Sequence, residues 1–343
     1  MNSTKAMILA GGMSTRLYPL TKQVPKPLVP VAGEPITAHI MRWLASFGFT
    51  EVGINVHYLS HAIDSAFGDG SRYGVKLNYV RESELMGSAG AVKPLEAFFD
   101  RTFVVVGCDD LTDANLDALV AFHKERGALA TIGLVEAEEV DQYGVVLTDD
   151  RGRITEFQEK PPKGTERSKL VNTGIYVFEP EIFSYIPAET FYDFGKGVFP
   201  ALLAAGAGFY GLRLNAYWRD IGTPKEYRLA TSDVLAGRVR LRGARATGVP
   251  AGVHLGNDVR IEGDVRLGSN VSVGRRVRIV GPTVIGDGVR IGDEAVIERS
   301  IVWDAATLGA RVLVRDSIVG IDYDVPADTS LIDRIVANEP IAT

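Results

Sequence analysis

Cysteine is almost missing from this chain. Cys108 stands alone among 343 residues, so no disulfide can close within the chain, and the composition suits a reducing compartment. Excess positive charge is missing too. With 37 Lys and Arg against 43 Asp and Glu, the formal net charge is −6, which offers no basic field to nucleic acid or an anionic membrane. No apolar run is long enough to span a bilayer and no signal peptide is expected, so the expectation is a cytoplasmic protein with neither nucleic acid nor membrane as partner. Histidine is scarce, and His39, His57, His61 and His123 have no metal-ligand spacing. A phosphorylated ligand would therefore have to be held by local Arg and Lys. What is present is the 46% hydrophobic and 23% charged composition of a soluble globular protein, at a length suited to about two domains.

The run Ala6-Met7-Ile8-Leu9 is fit for a buried strand, and Pro35 opens a helical pattern with Ile36, Ile40, Trp43, Leu44 and Phe47 on one face, closed by Gly48. Between them lies a long loop with Gly11, Gly12, Pro19, Pro25, Pro27 and Pro30, carrying Arg16 and Lys26. A loop at the carboxyl end of the first strand of an α/β sheet is where ligands bind. Glycines let backbone N–H groups approach an anion there, and Arg and Lys add charge-assisted contacts. Strands over 52–56, 75–80, 102–107 and 130–135 then alternate with helices over 57–67, 89–99 and 115–126. That rhythm predicts an α/β fold with a mostly parallel, doubly wound sheet and helices on both faces. A hairpin over 145–157, turning at Asp150-Arg151-Gly152, interrupts it before 174–178 resumes the core. Asp113 is suited to cap the helix that follows it.

From Val253 the pattern changes. Val253, Val259, Val265, Val271 and Val277 recur every sixth residue, and Leu255, Ile261, Leu267, Val273 and Ile279 follow in the same step. Neither helix nor ordinary strand has that period; it is the period of hexapeptide repeats in a parallel β-helix, with a register slip expected after Trp303.

Gly11-Gly12-Met13-Ser14-Thr15-Arg16-Leu17, running on to Pro25-Lys26-Pro27, is neither a P-loop nor a dinucleotide fingerprint. It resembles the G-G-x-G-T-R-L…P-K-P signature of the sugar-1-phosphate nucleotidylyltransferases, the nucleotide-sugar pyrophosphorylases. Ser14 and Cys108 stand where that family usually has glycine. Three further strings fit it: Asp109-Asp110-Leu111, like the family's metal motif; Phe157-Gln158-Glu159-Lys160-Pro161, like F-x-E-K-P; and Trp218-Arg219-Asp220-Ile221-Gly222-Thr223-Pro224, like W-x-D-I-G-T-P. The resemblance implies a Rossmann-like catalytic domain over residues 1–236. A left-handed parallel β-helix of hexapeptide repeats, with a C-terminal tail, would follow over 237–343.

The reaction so implied joins a nucleoside triphosphate and a sugar 1-phosphate into a nucleotide-sugar and pyrophosphate. The attacking group is already an anionic phosphate oxygen, so no general base is needed; the site must align two polyanions and neutralise them. By resemblance, Asp109 and Asp220 hold Mg²⁺, Arg16 and Lys26 serve the triphosphate, and Lys160 serves the sugar phosphate. Ala10, Gly11, Gly12, Ser14, Thr15, Glu82, Glu84, Gly87 and Ser88 fall on the nucleotide side. Tyr143, Gly144, Glu159, Asn172 and Gly174 fall on the sugar side. Arg81 to Gly90 looks like the E-x-P-L-G-T-A-G stretch of mannose-1-phosphate guanylyltransferases, the best match. Guanine presents adjacent N1–H and N2–H₂ donors that a carboxylate can accept together, which favours GTP over dTTP or UTP. A glucose-1-phosphate thymidylyl- or uridylyltransferase is the alternative, and a non-catalytic nucleotide-sugar-binding regulator another. A hexapeptide acyltransferase would need a β-helix histidine as base, and only His254 lies in that region. Homo-oligomerisation, possibly through the β-helix, is expected, with residues 250–320 serving assembly and not chemistry.

Overall fold

The structure, a computed structural model, describes residues 4–241 and 250–339; residues 242–249 and 340–343, inside the expected repeat domain, lie outside the described residues. Two compact units form, one from residues 1–12 and 40–218, the other from 13–39 and 219–343.

The first unit is built on one mixed sheet of Rossmann-like character. Val104, Val105 and Val106 are fully buried, as an all-apolar central strand demands, and Phe103–Gly107 pairs in parallel with Thr4–Leu9. Phe49–Val56 and Lys76–Arg81 extend that side, again in parallel. On the other side Leu170–Phe178 runs antiparallel to both Phe103–Gly107 and Ala130–Glu136, and Phe209–Arg213 lies parallel to the latter. The expected hairpin is Gly144–Thr148 with Ile154–Glu159, joined to the sheet where Val171 faces Val145. Beneath the sheet, Phe99 stacks on Phe103 at 4.2 Å and Phe183 on Phe103 at 5.7 Å. Each such buried ring contributes roughly 1.5–3 kcal/mol.

Two local expectations change. The helix over 89–99 is broken into a turn at Gly87–Gly90 and a 3₁₀ turn at Lys93–Leu95. The N–H groups of Ala89 and Gly90 donate to the Tyr192 carbonyl, not along a helix, and Pro94 has no N–H to give. The cap of the Leu116–Glu125 helix is Asn115, whose Oδ1 accepts the Ala118 N–H, while Asp113 accepts the Tyr217 N–H.

In the second unit, Thr223 caps the Pro224–Leu235 helix, accepting from the Glu226 N–H at 3.2 Å with Pro224 in the first turn. Three parallel sheets of five strands each then stack as a β-helix around Val271, Val277, Ile279, Val289, Ala295 and Ile297. The early coils repeat over 18 residues, as in the Ser269–Asp287 contact, and later ones over 17, as in Ser300–Thr283. The slip therefore sits at Arg299, ahead of Trp303. There one residue at φ 47° turns the corner that Gly281-Pro282 turns one coil earlier. Among the described residues no helix is long and apolar enough to cross a membrane.

Candidate active site

Three parallel strands of the first unit end side by side, and their carboxyl ends make a crevice. Leu9, Asn55 and Glu82 come from the ends of neighbouring strands; Gly11, Gly12, Leu85, Gly87, Ser88 and Phe191 complete the wall. Its volume of about 260 Å³ falls just under the ~300 Å³ floor typical of drug-sized ligands, room for one ring-sized moiety. Asn55, buried, organises it. Its Oδ1 accepts the Ala10 N–H at 2.8 Å and its Nδ2 donates to Glu82 Oε2 at 3.1 Å. Gly11 is required here, because a Cβ would stand 2.6 Å from both Asn55 Nδ2 and Glu82 Oε2.

Glu82 is the polar centre of this crevice. Burial pushes its carboxyl above the usual range, opposed by the Asn55 hydrogen bond and the nearby His57. Its Oε1 is buried and, among the described residues, accepts no hydrogen bond. Such an orphaned acceptor is costly unless a ligand donor meets it. Glu84 is exposed and absent from the crevice wall, so Glu82 alone of the two glutamates occupies it. The Ser88 hydroxyl lines the crevice but is engaged by Asp193 Oδ1 at 3.1 Å and by the Phe194 N–H at 2.9 Å.

The strings expected on the sugar side also meet within the first unit. Hairpin register sets Gly144 opposite Glu159, and Lys160, at φ 46°, donates its N–H to the Tyr143 carbonyl at 3.1 Å. The Lys160 side chain is exposed. Tyr143 meets Trp218 edge-on at 5.4 Å. Trp218 Nε1 in turn donates to Asp110 Oδ1 at 3.1 Å and to the Thr173 carbonyl at 2.9 Å. A Cβ on Gly174 would stand 2.8 Å from Asp110 Oδ2, so that glycine makes room for the carboxylate. Asn172 accepts the Gly174 N–H and donates to the Tyr176 hydroxyl, a structural commitment for both ends of its amide. Asp109 is half-buried at the end of the Phe103–Gly107 strand.

The cations expected on the triphosphate side belong to the second unit. Lys26 is only 7% exposed, yet its Nζ lies 3.5 Å from Asp220 Oδ1, and Arg16 Nη2 lies 3.7 Å from Asp220 Oδ2. Gly222 permits the cluster, since a Cβ there would approach Arg16 Nη2 at 2.7 Å and both Asp220 oxygens. Ser14 adopts φ 53° and ψ 45°, the left-handed conformation that glycine takes without strain. Its carbonyl accepts the Thr21 hydroxyl at 2.8 Å, and Thr15 and Arg16 are exposed.

The sequence matches the family described as Nucleotidyl transferase over residues 5–237, and that span takes in every residue placed above. The chain belongs to that family. A UTP–glucose-1-phosphate uridylyltransferase of Synechocystis is 37% identical, over 96% of this chain and 90% of the relative. A mannose-1-phosphate guanylyltransferase of Mycobacterium tuberculosis is 34% identical, over 90% and 82%. A solved Bacillus anthracis structure, assigned as a glucose-1-phosphate thymidylyltransferase in complex with a sucrose, superposes with a TM-score of 0.61. It is 26% identical, over 70% of this chain and 97% of that one. This nucleotidyl transferase has relatives named for acting on sugar 1-phosphates.

Within this transferase, four residues went unassigned in the sequence. Asn55 had a visible signal, a lone amide near the end of the strand Gly53-Ile54-Asn55-Val56. Asp110 stood inside the Asp109-Asp110-Leu111 string but without a role of its own, and Asp193 and Phe191 gave no signal, since each depends on contacts between segments far apart in the chain. The carboxylates expected to serve Mg²⁺ offer the hard oxygen donors that this ion takes, and its shell is completed by phosphate and water. Asp110 is buried and bonded to Trp218.

Proposed function

We propose that the enzyme transfers a guanylyl group from GTP to mannose 1-phosphate, giving GDP-mannose and pyrophosphate. The sugar phosphate oxygen forms the new P–O bond at the α-phosphorus as the bond to pyrophosphate breaks. The observation that carries the nucleotide is the buried Glu82 Oε1, an acceptor awaiting a donor in a crevice of ring size. Guanine brings two adjacent donors; uracil and thymine bring one N3–H flanked by carbonyls that an ionised carboxylate repels. The sugar is carried by the name of the mycobacterial guanylyltransferase relative. Arg16 and Lys26 are assigned to the triphosphate and Lys160 to the sugar phosphate. Asp109 and Asp220 are assigned as the Mg²⁺ carboxylates. When bound, Mg²⁺ would neutralise phosphate charge.

The uridylyl reading keeps a specific support, the Synechocystis relative that matches 96% of the chain. Pyrophosphate release should be measured with GTP, UTP and dTTP, each against mannose 1-phosphate and glucose 1-phosphate, with Mg²⁺. The expected result is the highest kcat/KM for GTP with mannose 1-phosphate. A maximum for UTP with glucose 1-phosphate replaces this reading with the second.

A further inference from the structure

The β-helix was expected to serve assembly alone, yet the loop that carries Lys26 shares its compact unit with the β-helix. Three contacts grip that loop on either side of Lys26. Ahead of it, Glu339, in the strand-free tail past the last coil, accepts from Lys22 Nζ at 2.8 Å, and its carbonyl accepts from Gln23 Nε2 at 3.0 Å. Behind it, the Tyr227 hydroxyl donates to the Pro30 carbonyl at 2.5 Å and accepts from Trp303 Nε1 at 3.0 Å. Farther on, the Arg266 side chain reaches from the Val265–Leu267 strand to Gly33, where a Cβ would stand 3.0 Å from its Nε.

In the Trp303–Tyr227–Pro30 relay the bond between the two rings is buried and the bond to Pro30 is partly so. Tyr227 is 0% and Trp303 3% exposed, and their rings meet edge-on at 6.4 Å. Tyr227 also sits on the Pro224–Leu235 helix, one turn past Gly222, so the same hydroxyl ties the Lys26 loop to the segment that presents Asp220. On that helix Arg228 bonds the Asp316 carbonyl and pairs with Asp333 Oδ1 at 3.1 Å, a second hold from the β-helix. Buried, fully satisfied hydrogen bonds of this kind fix one geometry, because breaking one strands its partner.

We propose that the β-helix is a positioning element of the transferase: through Trp303 and Tyr227, with Glu339 as a second clasp, it holds Lys26 and Asp220 in the arrangement that receives the pyrophosphate portion of the nucleotide. Trp303 and Tyr227 are positioning residues, and the inference rests on the assignment of Lys26 to the triphosphate. The test uses full-length Tyr227→Phe and Trp303→Phe, with inorganic pyrophosphate as a probe of the phosphate side and guanosine as a probe of the base crevice. One net hydrogen bond is worth about 1 kcal/mol, so each variant should bind pyrophosphate roughly fivefold more weakly and turn over more slowly, with guanosine affinity and the sugar-phosphate KM unchanged. The double variant should be no worse than Tyr227→Phe alone, because both act through one hydroxyl. Trp303→Phe removes the indole donor together with part of the buried ring, so its melting is compared with wild type, and it carries the test if Tyr227→Phe fails to fold. Pyrophosphate affinity at the wild-type level in folded Trp303→Phe, or a parallel loss of guanosine affinity, overturns the proposal. Lys26→Ala separates the two layers: unchanged pyrophosphate affinity in that variant sinks the assignment of Lys26 beneath the proposal, and weakened affinity there with none in Trp303→Phe sinks the brace alone.

Discussion

Gly12 closes the first unit and Met13 opens the second, so two neighbouring stretches of one loop are built on different supports. The crevice proposed for the base is framed by strand ends whose spacing is fixed by ladder hydrogen bonds, and its organising contact, Asn55 to Ala10, spans 45 residues. The Lys26 loop has short 3₁₀ turns and a two-residue ladder, Pro30–Val31 with Glu34–Pro35, of its own, and its contact from Tyr227 to Pro30 spans 197 residues. A sheet edge specifies geometry from within. A proline-rich loop borrows geometry from whatever packs on it. Base recognition should therefore tolerate changes in the β-helix, and charge handling should not.

The largest effect expected from that contrast is at the cations. Lys26→Ala removes a nearly buried charge aimed at Asp220, and should lower kcat on the order of 10²–10³-fold while leaving the GTP-to-UTP preference in place. Steady-state kinetics on a variant with wild-type melting decides it, and a shifted nucleotide preference would mean that the two regions are not separable. Gly11→Ala should come next. Its methyl would collide with Asn55 and Glu82, so the GTP KM should rise about tenfold or more, with the mannose 1-phosphate KM unmoved. An unaltered GTP KM would remove the base from this crevice.

How far the sequence reached follows the same division. Strand ends and the hexad period are local patterns; the strands and the three-sided stack form as they indicate. The Asn115 cap was misassigned to Asp113 because both suit a helix start, and only the partner, Tyr217, distinguishes them. The apolar spacing over 89–99 is real, but Pro94 falls inside the span, where it has no N–H to give to the preceding turn, and the helix is not continuous. The brace could not be read at all. Trp303 and Tyr227 stand 76 residues apart, and no local pattern joins them; their hydrogen bond appears only in the folded chain.

The smallest expected effect, and the finest cut between the regions, is a pH dependence confined to the crevice. Burial raises the Glu82 carboxyl above its ordinary 4.5 in the folded protein, despite Asn55 and His57. For an acid raised on folding, the free protein binds the proton more tightly than the unfolded chain. Its stability therefore grows as pH falls through the raised folded value, and levels off below the unfolded one. Nucleotide choice should run the opposite way. Ionised Glu82 offers guanine two acceptor oxygens. Once protonated, it offers one O–H donor and one acceptor, a pattern that a pyrimidine N3–H and its neighbouring carbonyl can satisfy. The ratio of kcat/KM for GTP over UTP should accordingly decline a few-fold as pH is lowered toward 4.5. Glu82→Gln, fixed in a donor-plus-acceptor pattern, should hold the ratio flat at the acid-side value. Tyr227→Phe, on the other support, should leave the profile's midpoint where it is. A ratio that is level with pH in the wild-type enzyme would take Glu82 out of base selection, and a midpoint that moves in Tyr227→Phe would join the two regions into one site.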